Sequence, residues 1–169
     1  MTLVEYLQLY GHLITQNSER LFVEDFLYPL LGTKIEHVIP QHQFIDSTGK
    51  LRRIDFAYIG STRLAFEIDG ETYHAEGVIP NDSFDDSLFR QNEMLRLGYK
   101  LIRFSYNQLQ SPMWRSIITD SLRTFISDHA PELLTEYALE PSQLQHRVLD
   151  ALHYYRELGW KKGVVVLPT

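Results

Sequence analysis

Two periodicities alternate along the chain. Apolar residues recur at helical intervals over residues 3–14, and again on a stripe of Phe22, Val23, Phe26 and Leu30, with Asn17-Ser18 as the expected N-cap and Glu19 on the same stripe. Pro29 and Gly32 end or kink that second helix. Period-two patterns then take over. Residues 35–45, 51–59 and 64–69 read as three strands in a meander, the first two joined by the turn Asp46-Ser47-Thr48-Gly49. Residues 70–83, with Gly70, Gly77, Pro80 and Asn81, read as a loop. Helical spacing returns over residues 84–97 and stops at Gly98; residues 99–104 form another strand, and Ser111-Pro112 opens a helix that runs through Ile126. The order helix, three strands, helix, strand, helix predicts an α/β domain over residues 1–130, with a mixed central sheet flanked by helices.

The pattern changes after Pro131. Pro141 opens a helix carrying Leu144, Val148, Leu149, Leu152 and Tyr155 and closed by Gly159, and Lys161-Lys162-Gly163 leads into an apolar run, residues 164–167. Residues 131–169 therefore read as a helical extension that links the first domain to the start of another.

With 169 residues, 44% of them hydrophobic, the chain can bury one sizeable core. The absence of cysteine excludes disulfides and thiolate metal sites and favours a reducing, cytoplasmic setting. No apolar run approaches a membrane span and the start lacks the basic-then-apolar order of a signal peptide, so no membrane partner is expected. Sixteen Lys and Arg against 22 Asp and Glu give a net charge of −6. That argues against nucleic-acid binding by bulk charge and leaves room for a local basic rim around an acidic centre.

Such a centre is visible in Phe66-Glu67-Ile68-Asp69-Gly70, with Asp55 on the preceding strand and His74 just beyond. Strand alternation sends Glu67 and Asp69 to one face and Phe66 and Ile68 to the other. Two carboxylates on one face of an apolar strand are costly unless a cation stands between them. Asp55 and Glu67, at matching heights on neighbouring strands, supply oxygen donors of the kind that Mg²⁺ or Mn²⁺ takes. Glu19 points inward with the stripe of Phe22 and Phe26, or answers its own helix dipole. Gln41 and Gln43 are both in reach of the same centre, and alternation does not choose between them. Lys50, Arg52 and Arg53, around the turn between strands, are candidates for phosphate contact.

These residues, in this order, resemble the PD-(D/E)XK nuclease superfamily over residues 18–107, and within it the very-short-patch-repair-like branch with an E-x-D-G…H signature. The matching positions are Glu19, Asp55 in Arg53-Ile54-Asp55-Phe56, Glu67 and Asp69 in Glu67-Ile68-Asp69-Gly70, His74, and Arg90 eight residues before Gly98. The resemblance implies a restriction-endonuclease-like core that hydrolyses DNA with Mg²⁺ or Mn²⁺. Asp55, Glu67 and the Ile68 carbonyl would hold the metal, and Asp69, His74, Arg90 and Glu19 would complete the catalytic set. The superfamily usually has lysine where this chain has Asp69; the repair branch shares the replacement, with His74 or Arg90 to supply the missing positive charge. Gln145, residues 148–152, Gly159 and residues 164–169 resemble the stretch just before the Walker A loop of a superfamily-two helicase motor. This implies a nuclease domain joined to its own helicase motor, with ATP bound only in the motor and not by these residues. A homodimer stays open.

Three other readings compete. The fold could serve the helicase as an inactive DNA-binding or docking module. The carboxylates could perform metal-free acid/base hydrolysis, as in glycosidases, although two residues apart on one strand is too close for the usual opposed pair. Glu67 and Asp69 could also form an ion-paired strand end beside Arg52, Arg53 or Arg63.

Overall fold

The computed structural model describes residues 1–70 and 81–135. His74 and the helix and apolar run expected from Pro141 onward lie outside the described residues.

The amino-terminal layer is helical. Helix α1 (Leu3–Tyr10) opens on a capping box in which Glu5 Oε2 accepts from the Thr2 amide and the Thr2 hydroxyl accepts from the Glu5 amide. Helix α2 (Asn17–Phe22) runs through a π-helical turn (Val23–Leu27) into α3 (Tyr28–Leu31). The widened turn has a local cause. Pro29 offers no N–H, and its ring would strike the carbonyl four residues back in a regular helix; opening the turn ahead of it removes that clash. Gly32 closes the segment at φ 53°, where a side chain would meet the Thr135 methyl group at 2.8 Å. Residues Gly32–His37 then form a 3₁₀ turn, so the first strand starts at Val38 and not at residue 35, as alternation suggested.

Strands β1 (Val38–Ile45), β2 (Leu51–Ile59) and β3 (Arg63–Asp69) form the expected antiparallel meander. Helix α4 (Asn81–Arg96) precedes β4 (Tyr99–Ser105), which lies parallel to β3, giving a mixed sheet in the order β1-β2-β3-β4. Two helices follow: α5 (Tyr106–Gln110), which sequence patterning missed, and α6 (Pro112–His129). The result is an α/β domain with a four-stranded mixed sheet between helical layers. Among the described residues, no helix is long and apolar enough to cross a membrane.

The two faces of the sheet have different cores. Phe56, Tyr58, Leu64, Phe66, Ile68 and Phe104 face α1–α3, α5 and α6, with the Phe22 ring among Phe26, Phe56, Phe66 and Phe104 at centroid distances of 5.9–6.4 Å. Phe44, Ile54, Ala57, Ala65 and Tyr99 face α4 through Met94. Val38 and Phe44 are an even number of residues apart yet belong to different layers, as do Ile54 and Phe56. Each strand therefore slips phase once, at Gln41 on β1 and at Asp55 on β2. Gln41 has φ 51°, and the β1–β2 pairing passes from Pro40↔Phe56 to His42↔Ile54 without pairing the two.

The compact unit extends to Thr135, five residues past the boundary expected at 130. The reason is burial and bonding: Ala130 and Leu133 enter the main core, the Tyr58 and Ser61 hydroxyls donate to Glu132, and the Thr135 amide donates to Leu30 O.

Candidate functional site

Three of the expected residues meet where β2 and β3 part. The backbone ladder between these strands ends at Phe56↔Phe66, and beyond it carboxylates replace carbonyls as acceptors. Ile68 N–H donates to Asp55 Oδ2 at 2.7 Å, and Asp55 N–H donates to Glu67 Oε1 at 3.3 Å. Each strand thus fixes the other's carboxylate without spending a side-chain donor. Glu67 is almost completely buried, with 1% of its surface exposed.

Glu19 approaches from the opposite layer. Its Oε2 caps the Gln16 amide and its Oε1 accepts from Gln41 Nε2 at 2.9 Å, so it answers its helix end and points inward at once. Alternation could not choose between Gln41 and Gln43; the left-handed turn at Gln41 does, by aiming that amide at Glu19 beside Asp55. A non-glycine residue at positive φ stores strain, and it persists here beside three carboxylates.

Two arginines on the α4 side answer the acids. Arg90 Nη2 donates to Glu67 Oε2 at 2.5 Å, while its Nη1 reaches the Arg53 carbonyl at 3.3 Å. Arg103, which sequence reading passed over, pairs in register with Glu67 on β4 and binds Asp69 through Nε and Nη2, at 3.3 and 2.6 Å. Its Nη1 also donates to Gln91 Oε1. The signal was present in Leu101-Ile102-Arg103-Phe104, an arginine inside an apolar strand, but only the parallel pairing of β3 and β4 puts it beside Glu67. The ion pairs of Glu67 and Asp69 are therefore with Arg90 and Arg103, and not with Arg52, Arg53 or Arg63.

Acid exceeds base in this cluster. Among the described residues, the carboxyl groups of Glu19, Asp55, Glu67 and Asp69 face two guanidinium groups. Burial, and next to it Asp55, pushes the Glu67 carboxyl up to about 7. Burial raises Asp55 and Glu19 as well. A raised carboxyl favours the fold while protonated, so its contribution is complete below the ordinary value of 4.5 and is lost as pH rises through the folded-state value. Glu67→Gln keeps an acceptor for the Asp55 amide and removes the charge, and Arg90, partly exposed, can rehydrate. In chelator it is expected to match wild type at about pH 4 and to exceed it by on the order of 2 kcal/mol at about pH 8. Denaturant melts at both pH values check this, and equal differences at the two would refute it.

The turn residues are not equivalent. Arg52, expected to reach phosphate, is buried: Nε donates to Asp46 Oδ2 at 2.8 Å, and Nη1 and Nη2 hold both oxygens of Asp86 at 2.6 and 2.8 Å. Lys50 is exposed, with Nζ 3.7 Å from Asp86. Arg53 is exposed and has no ion pair among the described residues.

The donors suit one class of metal. Among the described residues no group of three or more His, Cys, Asp or Glu side chains is placed to hold a metal ion. Mg²⁺ and Mn²⁺ need only one or two carboxylates, taking water and substrate oxygens for the rest. Asp55 and Glu67, in a cluster where carboxyl groups outnumber guanidinium groups among the described residues, fit that requirement. No protein-family model matches the chain, and no curated protein or solved structure matches it either.

Proposed function

We propose that this domain is a metal-dependent deoxyribonuclease of the restriction-endonuclease-like, very-short-patch-repair-like kind. The observation that carries the reading is the mutual clamp of Asp55 and Glu67 across the parted strands, in a cluster where carboxyl groups outnumber guanidinium groups among the described residues. A phosphodiester has a poor alkoxide leaving group and an anionic surface that repels nucleophiles. Bound at Asp55 and Glu67, Mg²⁺ or Mn²⁺ would supply the charge that polarises water and phosphoryl oxygens.

The chain's own groups account for the remaining needs. Asp69 stands in the usual position of lysine and cannot donate; it holds Arg103, whose guanidinium brings positive charge to the same face. Glu19, raised by burial and steadied by Gln41, would accept a proton from an attacking water beside Asp55. The aromatic packing around Phe22, one helical turn from Glu19, keeps bulk water from that side. His74 and the residues that resemble a helicase motor lie outside the described residues.

A second reading is favoured by one contact. Arg90 already occupies Glu67 Oε2, as in a structural ion pair, so the domain could bind DNA or dock without cutting it. Incubation of the protein with supercoiled plasmid in Mg²⁺ or Mn²⁺ separates the two. The nuclease reading expects nicked and linear products that chelator abolishes; retention of DNA on the protein with no product at any metal concentration would establish the binding module.

A further inference from the structure

A cavity of about 340 Å³ lies between the start of β2 and helix α4, lined by Lys50, Leu51, Arg52, Arg53, Asp86, Ser87 and Arg90. Its charged groups are mostly basic, although the chain as a whole carries −6. Arg90 forms both a wall of this cavity and the cationic partner of Glu67, so cavity and carboxylate site share one guanidinium.

Arg52, Arg90 and Arg103 differ in how firmly they are held. Arg52 is fixed by three hydrogen bonds to two carboxylates, and Arg103 holds Asp69 through two nitrogens with Gln91 and Ser87 in support. Among the described residues Arg90 meets Glu67 through one nitrogen and otherwise reaches only the Arg53 carbonyl, at 3.3 Å. Arg53, which also lines the cavity, has no ion pair to give up among the described residues; of the arginines already held by a carboxylate, Arg90 is the one that an anion in the cavity can recruit at least cost, since a phosphate oxygen replaces the carboxylate in a charge-assisted bond of the same kind.

We propose that the cavity is a phosphate subsite for a nucleic-acid strand, and that its occupation draws Arg90 off Glu67 and frees that carboxylate for a divalent cation. Lys50 Nζ and Arg90 provide the charge, with Arg52 held in place behind them by Asp46 and Asp86. Without the anion Arg90 competes with the metal for Glu67; with it, both cations have partners. Binding of anion and of metal is then mutually reinforcing, by linkage. This rests on the metal-dependent reading above and adds to it an order: the metal site is completed by the strand that is to be cut.

Mn²⁺ titration calorimetry of the 169-residue chain tests the coupling, with sulfate or a short oligothymidylate as the anion and ionic strength held constant with chloride. Wild type should bind Mn²⁺ about fivefold more tightly with the anion present. Arg90→Gln should bind Mn²⁺ about tenfold more tightly than wild type with no anion, and should gain nothing further from adding one. Lys50→Gln should shift the sulfate response to higher concentration. An effect of sulfate points to a bare anion site, and an effect of the oligonucleotide alone to a strand-specific one; both support the coupling. Direct coordination of Mn²⁺ by the anion would persist in Arg90→Gln, and that outcome, or anion-free affinity in Arg90→Gln no higher than wild type, overturns the proposal. If wild type binds Mn²⁺ and cuts DNA with no such coupling, only this inference falls; if neither protein binds Mn²⁺ under any condition, the metal-dependent reading falls with it.

Discussion

Asp55→Asn and Glu67→Gln are each expected to lower metal-dependent DNA cleavage by at least about a thousandfold, with the fold intact. Both substitutions preserve shape and hydrogen bonding: the asparagine amide oxygen can still accept from Ile68 N–H, and the glutamine oxygen can still accept from Asp55 N–H. What each loses is a negative charge in the pair that would hold the metal. Stability should not fall in step with activity, because the metal-free carboxylates repel one another and are raised by burial. Cleavage rates at saturating Mn²⁺, with melts of the same preparations, measure both effects. Wild-type cleavage by either variant would remove that carboxylate from the site, and loss of activity that tracked loss of folding would make the pair structural.

The main lines of this site follow from short-range rules, which is why alternation and helical spacing reach them. Glu67 and Asp69 share a face of β3 because the strand is regular there, and Glu19 points inward because it lies on the helical stripe of Phe22 and Phe26. Asp55 faces Glu67 because a tight meander fixes the register of β2 and β3. The rules fail where a strand breaks its own period. Nothing in Pro40-Gln41-His42 announces a left-handed residue, since glutamine has no preference for that conformation. The turn coincides with the Gln41–Glu19 hydrogen bond on one side and the unpaired Asp55 of β2 on the other, both of them long-range contacts. Arg103 was hidden for another reason: its partner, Asp69, is 34 residues away and meets it only through parallel pairing. Residues 131–135 looked like the start of a linker because a proline opens them, whereas their burial depends on Leu30, Tyr58 and Ser61.

Arg52 and Arg53 were equivalent as sequence, two adjacent cations near a turn, and are expected to give opposite results on substitution. Arg52→Ala should cost about 3 kcal/mol of stability, because it leaves buried Asp46 without its guanidinium and releases Asp86 on α4. The turn should loosen with it, since Asp46 also accepts from the Thr48 and Lys50 amides and so orients the hairpin around Arg52. Arg53 supports nothing comparable: it is exposed, and only its carbonyl is used, by Arg90. Arg53→Gln should stay within about 0.5 kcal/mol of wild type in stability. If its side chain meets phosphate, it should weaken DNA binding in chelator uniformly across sequences and reduce the dependence of log affinity on log salt by about one unit. Denaturant melts and binding isotherms at several salt concentrations, run on both variants, give the comparison. A stable Arg52→Ala that binds DNA weakly would return Arg52 to the DNA surface, where its sequence position first placed it. An unstable Arg52→Ala beside a stable Arg53→Gln whose salt dependence falls by about one unit would assign the first residue to the hairpin and the second to phosphate contact.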